Sequence, residues 1–327
     1  MSSFLETVED IQELLCSKVD WQKKYADYAK NLYDNESKIK NFAKKFLKWP
    51  PFRYYMSLGN AKEGNMVVTM RFKGQDVAFL KIKNDIVTIS TKDRDESNKK
   101  YFHCPIELKD VSWAKDKKAQ EFRKFFKDIE EESKSKEHKI ESLLLKEFSK
   151  KESKNKPHLN IQPIKIANRF DFQFPTQINA SDIIKYASKR GGGIDILARI
   201  GVGGATSLCV IELKDENEPV SKVITQATAY ATFLQALLRS KSGELWYKLF
   251  GFKREIPKNL KIYAVSLMPY KNEQPKEIKR LPIDKGDVPI ISKMFQPNID
   301  KYDKDELILQ SWYFKMDGEK ISEILAP

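Results

Sequence analysis

Residues 191–216 read "GGGIDILARIGVGGATSLCVIELKDE". Two apolar segments flank a glycine-rich centre, the pattern of two β-strands joined by a turn. Paired glycines suit a tight hairpin, and strands joined directly by a hairpin are antiparallel. Three charged residues interrupt the apolar run: Asp195 in the first segment, then Glu212 and Lys214 at the end of the second. Charge in a sheet interior is costly unless something pairs with it. A turn centred between Gly203 and Gly204 sets Asp195 directly opposite Glu212, on one face, with Cβ atoms roughly 5 Å apart. Lys214 shares that face because side chains alternate along a strand. A bulge in the glycine loop would shift this register.

Working outward, "PVSKVITQATAYATFLQALLRS" has the spacing of a helix, with Val223, Ala227, Tyr230, Leu234 and Leu237 on one face and Ser221 as its expected N-cap. "LKIYAVSLMP" reads as a buried strand and "LILQSWYFKMDG" as another. Upstream, "KIESLLLKEFSKK" is an amphipathic helix carrying Ile140, Leu143, Leu144 and Phe148, and "HLNIQPIKIANRFDFQFPTQI" reads as extended chain. The order helix, strand, strand, strand, helix, strand predicts an α/β domain with a central mixed β-sheet flanked by helices.

The N-terminal half reads differently. Helical spacing runs from residue 3 to about 33, and a second helix through Ile39, Phe42 and Phe46 stops at Pro50-Pro51. "FRYYMSL", "NMVVTMRF", "DVAFLKI" and "DIVTIST", separated by turn residues, predict an antiparallel meander. A long charged helix is expected to begin near Ser112 and to run toward Lys150, with its polar stretch "EESKSKEHK" read as a solvated helical connector or a break between domains. The expected division is a separate α+β domain over 1–135 and an α/β domain over 136–327, consistent with a chain of 327 residues.

Composition narrows the partners. Hydrophobic residues are 41% and charged residues 32%, which fits a folded protein with a heavily charged surface. No apolar run is long enough to span a bilayer, and the acidic, non-basic start does not read as a secretory signal. Cys16, Cys104 and Cys209 form no CxxC pair, so the expectation is a reducing, cytoplasmic setting. His103, His138 and His158 are scattered, with a surface position expected for each. The net charge of +13 favours an anionic partner, above all nucleic acid, and the excess is spread over both halves.

The chemistry follows from the opposed acids. Two facing carboxylates repel, so one takes up a proton or both share a cation. Hard oxygen donors favour Mg2+ or Mn2+. Two carboxylates, a divalent ion and a lysine suit phosphodiester hydrolysis, in which the metal polarises the phosphate and helps to ionise a water. The competing reading is a cross-strand salt-bridge cluster on a solvent-facing sheet, which the apolar neighbours on the same face, Leu197 and Val210, disfavour. "GVGGAT" lacks the Gly-Lys-Ser/Thr ending of a phosphate-binding loop and reads as the hairpin turn.

Asp195, a hairpin turn and then Glu212-Leu213-Lys214 resemble the PD-(D/E)XK nuclease superfamily, of restriction-endonuclease-like fold. The resemblance covers about residues 138–268 and takes in Gln226 of the following helix. Ile194 stands where the superfamily name implies proline. The resemblance implies that Asp195, Glu212 and the Leu213 carbonyl bind the metal, and that Lys214 positions or activates the attacking water. It implies that Gln226 orients Lys214 or that water, and that an acidic residue of the preceding helix, Glu141 with Glu147 as the alternative, adds a further carboxylate. Lys189 and Arg190 would contact phosphates, and Gly191, Gly192 and Gly193 would admit nucleic acid close to the backbone. The implied activity is a DNA endonuclease of restriction, defence or repair type, and a double-strand cut would imply a homodimer. Two alternatives stand beside it: a catalytically silent nucleic-acid-binding module on the same fold, and a structural or partner-binding protein.

Overall fold

The computed structural model describes residues 4–46, 51–62, 65–83, 86–91, 102–129, 136–149, 160–180, 184–187, 191–214, 217–271, 278–284 and 304–327. The chain opens with helices α1 (Phe4–Ser17), α2 (Asp20–Asp34) and α3 (Glu36–Phe46). Strands β1 (Arg53–Tyr55), β2 (Ala61–Lys62), β3 (Asn65–Phe72), β4 (Gln75–Lys83), β5 (Ile86–Thr91) and β6 (Val111–Ser112) follow. Helices α4 (Lys117–Asp128) and α5 (Lys136–Phe148) lead to short strands β7 (Gln162–Pro163), β8 (Phe174–Pro175), β9 (Ile178–Asn179), β10 (Lys185–Tyr186) and β11 (Gly193–Ile194). The hairpin β12 (Ile196–Ile200) and β13 (Ser207–Leu213) precedes helices α6 (Val220–Arg239) and α7 (Gly243–Leu249). Strands β14 (Lys261–Pro269), β15 (Ile278–Asp284), β16 (Lys304–Asp317) and β17 (Lys320–Leu325) complete the chain.

Two compact units form. The larger comprises Met1–Ala29, Leu143–Ile164 and Gln173–Pro327; the smaller comprises Lys30–Ser142 and Lys165–Phe172. This division differs from a boundary at residue 135. The first 29 residues join the larger unit because their aromatics are buried there: Trp21 and Tyr25 lie 5.6 and 5.2 Å from the Phe233 ring of α6, and Trp246 Nε1 donates to the Tyr25 carbonyl at 3.2 Å. Burial of such large rings outweighs proximity along the chain.

The smaller unit holds the expected meander. Its antiparallel sheet runs β1-β3-β4-β5-β6, with β2 on β3. Lys73 and Gly74 turn β3 into β4 with φ of 46° and 87°, the positive pair that a two-residue hairpin turn demands. Phe52, Phe72, Phe102, Phe122 and Phe126 are buried together as its core. Two helices, α4 and α5, occupy the charged stretch, as the reading with a break near "EESKSKEHK" has it. Asp116 caps α4, its side chain accepting from Ala119 N, and Ile129 ends it by turning to extended geometry. Of the histidines, His103 is exposed as expected, His138 is half-buried, and His158 lies outside the described residues.

The larger unit is α/β with a mixed sheet in the order β15-β16-β14-β13-β12-β7, β17 pairing with β16. β12 and β13 are antiparallel, whereas β13-β14 and β14-β16 are parallel. The parallel step from β13 to β14 requires a crossover, which α6 and α7 provide. α6 is buried along most of its length, including all five of its expected core residues. It begins at Val220 behind Pro219, so Ser221 sits in the first turn rather than capping, and its carbonyl accepts from Thr225 Oγ1. Among the described residues no helix is long and apolar enough to cross a membrane.

Candidate metal and phosphate site

The β12-β13 register pairs Ile196 with Ile211 and Leu197 with Val210, as a turn centred between Gly203 and Gly204 requires. The loop itself is longer than a two-residue turn: Gly203–Ala205 form one 3-10 turn, and Gly201 and Gly203 have φ of 101° and 56°. Carried one residue past Ile196, the same register sets Asp195 opposite Glu212. Asp195 is not itself in a strand. It stands at the break where the chain leaves β8, paired with β11, and joins β13. Its Oδ2 accepts from Leu213 N at 2.9 Å, which fixes the carboxylate against the end of β13.

The two acids meet. Their side chains share a hydrogen bond, and the Asp195 amide also bonds to the Glu212 carboxylate. Glu212 is only 3% exposed, and its Oε1 has no hydrogen-bond partner. Burial, and next the charge of Asp195, push its carboxyl well above the usual range, while Lys214 pulls it back. Lys214 is half-buried, and its Nζ donates to the Leu213 carbonyl at 2.8 Å. Leu197 and Val210, flanking on the same face, are buried. This cluster therefore lies against apolar side chains rather than on an open solvated face.

α6 covers this face. Gln226 is 3% exposed on it, and Tyr230, one turn on, is 4% exposed. The Tyr230 hydroxyl accepts from the Ala180 amide, and burial, then Glu212, with a smaller effect of Asp195, raise its pKa. Tyr230 is thus a neighbour of both acids. The sequence reading placed it only in an apolar stripe, although its spacing of four from Gln226 put both on one helix face.

The glycines before the site serve the fold. A Cβ on Gly191 would run into the Thr176 carbonyl; one on Gly192 would meet the Tyr230 hydroxyl and the Ile178 carbonyl. Gly192 N donates to Ile178 O, and its own carbonyl accepts from Thr176 N, both at 2.8 Å. Gly193 is exposed, with no atom nearer to a Cβ than 3.9 Å. Lys189 and Arg190 lie outside the described residues. Glu141 belongs to the smaller unit, where it accepts from the Tyr55 hydroxyl at 3.1 Å and lies 3.9 Å from Arg71 Nη1. Glu147 falls in the larger unit, on the last turn of α5.

Among the described residues no group of three or more His, Cys, Asp or Glu side chains is arranged to hold a metal. The donors available are two carboxylates and a carbonyl, all hard oxygens, one of them the buried and unbonded Glu212 Oε1. That set fits a hard divalent ion, which would take the place of the proton between the acids. Compared with protein-family models, with curated proteins and with solved structures, the chain matches none.

Proposed function

We propose that this chain is a metal-dependent nuclease of PD-(D/E)XK type, on a restriction-endonuclease-like fold, and that it cuts DNA internally in restriction, defence or repair. One observation carries the reading: Asp195 and Glu212 come together across the β12-β13 pair, in an apolar layer, with Lys214 beside them. A purely structural use of such a pair is costly, because a buried carboxylate facing a second like charge destabilises the fold unless something neutralises it.

In this reading Asp195, Glu212 and the Leu213 carbonyl hold Mg2+ or Mn2+. The ion supplies polarisation of the phosphate and ionisation of a water. Lys214 brings positive charge to the scissile phosphate and holds the attacking water. Gln226, buried on the same helix face as Tyr230, orients Lys214 or that water. Glu147 remains the candidate for a further carboxylate, and Lys189 and Arg190 for phosphate contacts. The protein acts in the cytoplasm, and a double-strand cut would use two copies.

The test is supercoiled plasmid incubated with Mg2+ or Mn2+. Wild type is expected to nick or linearise it, and Asp195→Ala and Lys214→Ala to act about a hundredfold more slowly or worse. Equal cutting by all three would remove the site. A second reading, a nucleic-acid-binding module without catalysis, draws on one contact: the Leu213 carbonyl already accepts from Lys214 Nζ, so two members of the site satisfy each other. Salt-sensitive DNA binding without cutting would favour it.

A further inference from the structure

On the sheet face that carries Glu212, the parallel register orders the side chains into rows. Glu212 stands beside Ser266 of β14, and Ser266 beside Ser311 of β16, the two serines hydrogen-bonded at 3.2 Å. Two residues further along each strand come Lys214, Met268 and Tyr313, with Met268 paired to Tyr313 and Lys214 N bonded to the Leu267 carbonyl. Met268 and Tyr313 pack with Val223 of α6, which confirms that this row faces the same helix as the site. One row beyond lie Tyr270 and Lys315. Tyr270 N donates to the Phe314 carbonyl at 2.9 Å, and its ring stands edge-on to Tyr313 at 6.4 Å.

Tyr270 is 37% exposed, whereas Tyr313 beneath it is buried. Lys315 Nζ lies 4.8 Å from the Tyr270 ring centre, and Lys271 follows on the exposed chain. The Lys315 ammonium also pairs with Glu323 at 2.8 Å, so its charge is shared. Strand geometry puts this row about 6.6 Å beyond that of Lys214 and roughly 10 Å across two strands. A partly exposed aromatic ring with the Lys315 ammonium over it and Lys271 next to it in sequence, one step past the lysine of the site, has the composition of a base-stacking surface.

We propose that Tyr270, with Lys315 and Lys271, forms a stacking platform for single-stranded DNA running past the Asp195-Glu212-Lys214 site; this rests on the nuclease reading and names the form of its substrate. A stacked base takes the place of the Lys315 ammonium over the Tyr270 ring, and the lysines meet the flanking phosphates. Duplex DNA keeps its bases stacked on each other and gains nothing from the ring.

The experiment uses the full chain in EDTA, so that no cutting occurs, and reads fluorescence anisotropy of a labelled oligothymidylate and of a labelled duplex of equal length. Tyr270→Ala is expected to weaken binding of the single strand about tenfold and to leave the duplex within about twofold, and Tyr270→Phe to bind like wild type. Lys315→Gln is expected to weaken both probes modestly and to flatten the salt dependence. Unchanged single-strand binding by Tyr270→Ala overturns the platform, as does equal loss on the duplex or a Tyr270→Phe variant as weak as Tyr270→Ala. Cutting of supercoiled plasmid and of circular single-stranded DNA with Mg2+ is run beside it on wild type and Tyr270→Ala. Cutting by wild type together with any of those results sinks the platform and leaves the nuclease reading standing; absence of both cutting and binding by wild type sinks both. Single-strand binding that follows the expected pattern with no cutting of either DNA keeps the platform and sinks the nuclease reading.

Discussion

The two units bury carboxylates in opposite ways. Among the described residues of the smaller unit, each buried acid has a cation nearby. Asp171 meets Arg53 at 2.7 Å and Lys165 at 2.9 Å, and Glu141 takes the Tyr55 hydroxyl with Arg71 nearby. The larger unit contains one acid of this kind, Asp305, which receives Arg239 through Nε and Nη2, Gln235 Nε2 and Leu260 N at 2.6–3.0 Å. It also contains Glu212, whose carboxylate faces that of Asp195, with Lys214 beside them. The same sheet thus provides an internal control. Burial of an acid is compatible with a structural role when donors surround it; burial of an acid against an acid is what a cation site requires.

Four substitutions would break or sharpen that contrast. Asp305→Ala should have the largest effect, because it strands Arg239 in the core; a loss of about 3–5 kcal/mol is expected from urea unfolding. Glu141→Ala should come next, at about 1–3 kcal/mol, since Tyr55 loses its buried acceptor and Arg71 keeps only Asp76, at 2.7 Å. Glu212→Gln should move the other way. In EDTA near neutral pH it removes the buried repulsion and is expected to raise stability by about 1 kcal/mol. A loss as large as that of Asp305→Ala would place Glu212 among the structural acids and erase the distinction.

The smallest effect concerns His138 of the smaller unit. Burial, and then the charge of Arg71, lower its pKa below the ordinary histidine range. The unfolded chain therefore binds the proton first as pH falls through about 6.5, and stability drops from there toward the folded-state pKa. A thermal midpoint measured from pH 8 to pH 5 should fall, and His138→Asn should flatten the part of that fall that belongs to this residue. An identical slope in both proteins would show that His138 carries none of it.

Much of this architecture was legible in the sequence because it is local. Alternating apolar residues and the paired glycines predicted the β12-β13 register, the turn residues around Gly74 predicted the β3-β4 hairpin, and the apolar stripe of α6 predicted its buried face. What was missed depends on distant partners. Nothing in the spacing of Trp21 and Tyr25 says that they are buried against Phe233 and Trp246, so the division into compact units differs from a boundary at residue 135. At the site, the opposed acids and Lys214 could be read from register alone. Tyr230 was hidden because a tyrosine in an apolar stripe looks like core until the acids across from it are placed. Gly191 and Gly192 looked like access for a ligand; their packing against Thr176, Ile178 and Tyr230 depends on strands β8 and β9, too short to show in the sequence.

The central claim is that Asp195 and Glu212 jointly grip a divalent cation, and direct Mn2+ binding by isothermal titration calorimetry tests it without any assumption about substrate. Wild type and Asp305→Asn, where the latter folds, should bind one Mn2+ per chain, and Asp195→Ala and Glu212→Ala should each lose it. Undiminished binding in both of those variants, or none in wild type, would contradict the account.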